Sequence, residues 1–67
     1  MQRYLARWQM KGALNGKVWR QEFNLVVPAR NQMDVIVVIE SCANGIAKAT
    51  GLWMEWMKVV EIDSVEA

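Results

Sequence analysis

At 67 residues, with 54% hydrophobic side chains, a net charge of +1 and no histidine, the chain is sized for one domain with a marginal core, since chains this short hide only about 60% of their unfolded surface. A single cysteine excludes an internal disulfide, and with no histidine beside it a zinc cage of the usual ligands cannot be assembled from one copy. Oligomerisation is the remaining common supplement to so small a core.

The first residues, MQRYLARWQMK, contain no apolar leader segment, and the longest apolar run, Val35 to Ile39, is far below the roughly 18–20 residues of a membrane span. The expectation is a cytoplasmic protein with no membrane segment. The unpaired Cys42 agrees with a reducing compartment. Charge is divided: residues 1–30 carry Arg3, Arg7, Lys11, Lys17, Arg20 and Arg30 against Glu22, a net +5, whereas residues 31–67 carry −4. Such halves read as internal or subunit charge complementarity.

Residues 3–11 alternate, with Tyr4, Ala6, Trp8 and Met10 on one face and Arg3, Leu5, Arg7, Gln9 and Lys11 on the other. That is the period of a half-buried strand. Asn15-Gly16 is a type I′ hairpin signal, because both central positions of that turn need positive φ. With these two as the loop, Leu14 faces Lys17 and every opposed pair has numbers adding to 31. Trp8 then meets Phe23, Ala6 meets Leu25 and Tyr4 meets Val27, so the apolar faces of the two strands coincide. Lys11 facing Arg20 on the outer side is the one flaw, and it invites an anion or an acidic partner.

Pro28 ends the extended run, Asn31 caps, and Asp34 stands in the first turn, predicting a helix over 31–50 that stops at Gly51. Its inward stripe is Val35, Ile36, Ile39, Cys42, Ala43, Ile46, Ala47 and Thr50. The five consecutive β-branched residues Val35 to Ile39 offer a rival strand reading. That reading would leave a long structureless loop up to Gly51, which a domain this small does not favour. Cys42 on the stripe's flank reads as a packed thiol, since no base is available to activate it.

The third strand is expected over 52–62, with Leu52, Met54, Trp56, Val60 and Ile62 toward the helix and Trp53, Met57 and Val59 away from it. Lys58 falls among the inward residues, reaching a rim or an anionic ligand. Residues 63–67 read as a frayed tail. The whole is a β-β-α-β, α+β domain: a three-stranded antiparallel sheet with one long helix packed on one face. A right-handed crossover can place the third strand beside the first, giving the order 2-1-3, and the order 1-2-3 with a parallel pair is also open to the sequence.

Neither a general acid or base near neutrality, nor an activated nucleophile, nor a glycine-rich phosphate loop is present, so the reading is a non-enzymatic protein with no catalytic residue, cofactor or metal. Outward apolar groups at Leu5, Val26, Val37, Trp53, Met57 and Val59 predict a homo-oligomer interface. Arg7, Lys11, Arg20, Arg30 and Lys58 are the candidates for holding a protein partner or an anionic small molecule. The expected role is a self-associating binding protein in the style of small phage or mobile-element proteins that inhibit or sequester a host factor. The alternative is a nucleic-acid binder using the basic face of the hairpin, weakened by the near-neutral total charge.

Overall fold

In the computed structural model, which describes residues 1–65, four elements follow in order: β1 (Gln2–Leu14), β2 (Lys17–Ala29), α1 (Gln32–Thr50) and β3 (Trp53–Val65). They form an antiparallel sheet of order β2-β1-β3 with α1 packed on one face. The fold is α+β, and the alternative order with a parallel pair is not adopted. No helix among the described residues is long and apolar enough to cross a membrane.

Asn15 (φ 53°) and Gly16 (φ 77°) make the turn with positive φ at both central positions. The pairing that follows is unbroken from Leu14↔Lys17 to Gln2↔Ala29, each pair adding to 31 as expected. β2 continues through Pro28 to Ala29, so Pro28 does not end the strand. Its place in the register explains why. Leu14 and Lys17 flank a two-residue turn and form a hydrogen-bonded pair, so odd-numbered residues of β2 bond to β1 and even-numbered ones point their backbone groups away. Pro28 therefore lacks an N–H only on the free edge, where none is needed for the ladder.

α1 begins as predicted: the Asn31 side chain accepts the Asp34 N–H at 3.0 Å, and Arg30 Nε donates to Asp34 Oδ2 at 2.9 Å. It ends on Gly51 in the left-handed region (φ 76°), whose N–H donates to the Ala47 carbonyl at 3.0 Å. Burial of Val35 and Ile39 outweighs the poor helix propensity of the β-branched run. The core is Tyr4, Ala6, Trp8, Met10, Val27, Ala29, Val35, Ile39, Ala43 and Leu52, with Cys42, Ile46 and Ala47 packed against it. Trp8 and Phe23, opposed in the register, stack with centroids 4.4 Å apart.

β3 departs from the expectation in two ways. It pairs with β1 up to Arg3↔Val65, so residues 63–65 belong to the strand, and the rest of the expected tail, Glu66 and Ala67, lies outside the described residues. It also shifts register twice, between Arg7/Trp8 and between Lys11/Gly12. Val60 and Glu55 are the extra residues left by these shifts, and each bulge reverses which residues face the helix. Hence Met54 and Ile62 point inward as predicted. Between the bulges the assignment is inverted: Met57 lies opposite Met10 and Val59 opposite Trp8, both packed on the core, while Trp56 and Lys58 are paired with the outward residues Lys11 and Gln9.

Candidate interaction surfaces

The molecule measures 43 × 16 × 16 Å. At about 1.5 Å per residue α1 covers roughly 28 Å of that length, so helix and sheet leave three surfaces uncovered: the outer sheet face, the flanks of the helix, and the two sheet edges.

The outer face reads in rows across β2, β1 and β3. Val18, Ala13 and Trp53 form the row nearest the hairpin turn, followed by Arg20, Lys11 and Trp56, then Glu22, Gln9 and Lys58, then Asn24, Arg7 and Glu61, then Val26, Leu5 and Asp63. Its middle is charged and largely paired. Arg7 meets Glu61 at 3.0 Å, Lys11 meets Glu55 at 3.5 Å, and Gln9 Nε2 donates to Glu22 at 3.1 Å. These pairs are exposed and each contributes at most about 1 kcal/mol. The clash expected between Lys11 and Arg20 is resolved within the chain, because Lys11 turns to Glu55 and the Arg20 guanidinium lies 5.6 Å from the centre of the Trp56 ring.

Apolar exposure survives at the two ends of this face. Trp53, 67% exposed, and Val18, 78% exposed, stand on either side of Ala13 at one end, while Leu5 and Val26 sit together at the opposite end. The structure thus separates the residues expected to form one interface. Leu5, Val26 and Trp53 are outward, whereas Met57 and Val59 belong to the inner face, and Val37, 61% exposed, lies on α1 away from the sheet. Of the proposed binding cations, Arg7, Lys11, Arg20 and Lys58 share the outer face, Lys58 by virtue of the bulges. Arg30 is apart, engaged with Asp34 at the start of α1.

Two grooves flank α1. One of about 420 Å³ is lined by Ile36, Glu40, Asn44, Met54, Met57 and Val59 on the β3 side. The other, about 520 Å³, lies on the β2 side between Phe23, Leu25, Cys42, Ile46 and Ala49. Trp8 forms part of its wall, and the buried Trp8 Nε1 has no hydrogen-bond partner among the described residues.

The edges differ. β3 carries both bulges together with Glu55, Lys58, Glu61 and Asp63, features that blunt an edge against further pairing. β2 is regular throughout its length, and the backbone groups of Val18, Arg20, Glu22, Asn24 and Val26 point outward from the sheet. The register expected from the Asn15-Gly16 turn is the one that exposes these groups, and the sheet's free face and edges are the expected sites of assembly. No group of three or more His, Cys, Asp or Glu suited to a metal ion occurs among the described residues. The chain matches no protein-family model, no curated protein and no solved structure.

Proposed function

We propose that this chain is a non-catalytic binding protein that self-associates, and that the hairpin end of its outer face holds a protein partner bearing apolar and carboxylate groups. The observation that carries this reading is the exposed Trp53, in one row with Ala13 and the exposed Val18 and one row from the Arg20–Trp56 pair. Leaving an indole in water forgoes the burial that a core position supplies, and a partner covering it restores that gain. Tryptophan and arginine are also the residue types that dominate binding energy at interfaces. Trp53 would take an apolar side chain, and Arg20, one row away on the same face, would take its neighbouring carboxylate.

A protein partner is favoured over nucleic acid because Arg7 and Lys11 are already matched by Glu61 and Glu55 on the same face. Those carboxylates would repel a phosphate backbone. Inhibition or sequestration is the use that asks nothing further of such a surface. A reducing, cytoplasmic setting is part of the same proposal, supported by the free thiol of Cys42.

The test is a titration of ¹⁵N-labelled protein, following the four indole N–H signals, with an acidic peptide carrying one aromatic residue and separately with a single-stranded oligonucleotide. Movement of the Trp53 and Trp56 signals with the peptide supports the proposal. Movement with the oligonucleotide alone transfers the surface to nucleic acid, and silence toward both contradicts it.

A further inference from the structure

We infer that a second copy of this chain pairs with the free edge of β2, antiparallel and two-fold symmetric, in the one register centred on Gln21. The inference rests on the self-association reading and names its geometry. β2 is the edge without bulges, and among the described residues no strand lies beside its outward backbone groups on Val18, Arg20, Glu22 and Asn24. Joining two such edges extends the sheet to the order β3-β1-β2-β2-β1-β3, with both helices on one face.

The register follows from charge. Two-fold antiparallel pairing places residues equally distant from the centre opposite one another. Centring on Gln21 sets Arg20 against the partner's Glu22 and Glu22 against the partner's Arg20. Centring one residue earlier opposes Arg20 to the partner's Arg20, and one residue later opposes Glu22 to the partner's Glu22, like charges that destabilise a ladder. Centring on Phe23 or Asn24 matches no opposite charges. Only the Gln21 register makes both charge pairs reciprocal. In the paired form Arg20 leaves Trp56 for the second copy's Glu22, and Glu22 gives up its exposed bond from Gln9, so pairing through β2 competes with capture of a carboxylate at the hairpin end of the outer face.

The inner face agrees with this choice. Trp19 falls opposite the partner's Phe23, and Phe23 opposite the partner's Trp19, covering two half-buried aromatics that line the β2 side of the molecule. Overlap runs from Lys17 to Leu25 and leaves Pro28, which has no N–H to give, outside the paired stretch. The helices fit as well. α1 touches all three strands, and the two β1 strands of the joined sheet stand about 14 Å apart at about 4.8 Å per step. Packed helices need only about 8–10 Å, so room remains for Trp19, Phe23, Leu25 and Ile46 between them, and the apolar grooves beside β2 merge into the interface.

The test is a cysteine scan of the edge in a Cys42→Ala background, comparing Arg20→Cys, Gln21→Cys and Glu22→Cys under mild oxidation, alongside native mass spectrometry of each reduced variant. Opposed residues at the symmetry centre lie within disulfide reach, so Gln21→Cys is expected to cross-link at least about tenfold faster than either neighbour. A dimer that cross-links fastest at position 20 or 22, or equally at all three, overturns the register while self-association stands. A monomer throughout overturns both. Charge reversal supplies a second route: Arg20→Glu and Glu22→Arg each weaken the dimer at least tenfold, and the double reversal restores it. Failure of that rescue in folded protein contradicts the reciprocal pairs.

Discussion

Gly12 lies so close to the carbonyl of Trp53 that no side chain fits between them. The contact sits at the register shift between Lys11 and Gly12, where β3 crowds β1 at the bulge. Gly12→Ala must push backbone against backbone, and overpacking of this kind costs about 1–3 kcal/mol. Urea unfolding should show a lowered midpoint at constant slope; an unchanged midpoint would mean the strands are further apart than described.

Trp53 and Met57 are expected to respond oppositely to the same change. Met57→Glu places a carboxylate against Met10 on the inner face, a burial that costs several kcal/mol, roughly 3 or more after relaxation. Trp53→Glu alters an exposed position and should leave unfolding stability within about 1 kcal/mol. Far-UV circular dichroism with thermal melting separates the two. Equal tolerance of both would contradict the bulges.

At the hairpin, Gly16→Val forces a β-branched side chain to a φ of 77°. The penalty for left-handed backbone is about 1–2 kcal/mol for ordinary residues and higher for branched ones. Thermal melting should fall by several degrees, and a melt like that of the wild type would contradict a type I′ turn.

Asn31→Ala removes the acceptor for the Asp34 N–H at the start of α1. The expected loss is about 1 kcal/mol. Asn31→Asp, which keeps the acceptor and adds favourable charge at the helix start, should recover it. Chemical denaturation of the three proteins decides the matter, and equal stability of the wild type and the Asn31→Ala variant would count against the cap.

Local rules made most of the fold readable. Asn15-Gly16 set the hairpin register, and Asn31 and Gly51 marked the two caps of α1. What escaped was β3, for a physical reason. A single extra residue reverses every later side chain, and period-two reading has no term for it. The signal was nonetheless present. Glu55, Lys58 and Glu61 recur every third residue, beside the apolar doublets Trp56-Met57 and Val59-Val60. In an unbroken strand such spacing scatters charge onto both faces. Two bulges gather all three charges outward, where Glu55 meets Lys11 and Glu61 meets Arg7. The apparent two-faced hydrophobicity that suggested a single broad outer patch was therefore the signature of the bulges, and the true outer patch is confined to its ends.

Native mass spectrometry of the wild type beside Glu22→Pro tests self-association most directly. The outward N–H of residue 22 serves only the free edge, so proline there should leave the ladder to β1 intact while removing edge pairing. A dimer is expected for the wild type and a folded monomer, with unchanged circular dichroism, for Glu22→Pro. A wild type that remains monomeric at every concentration, or a proline variant that assembles as the wild type does, would contradict pairing through β2.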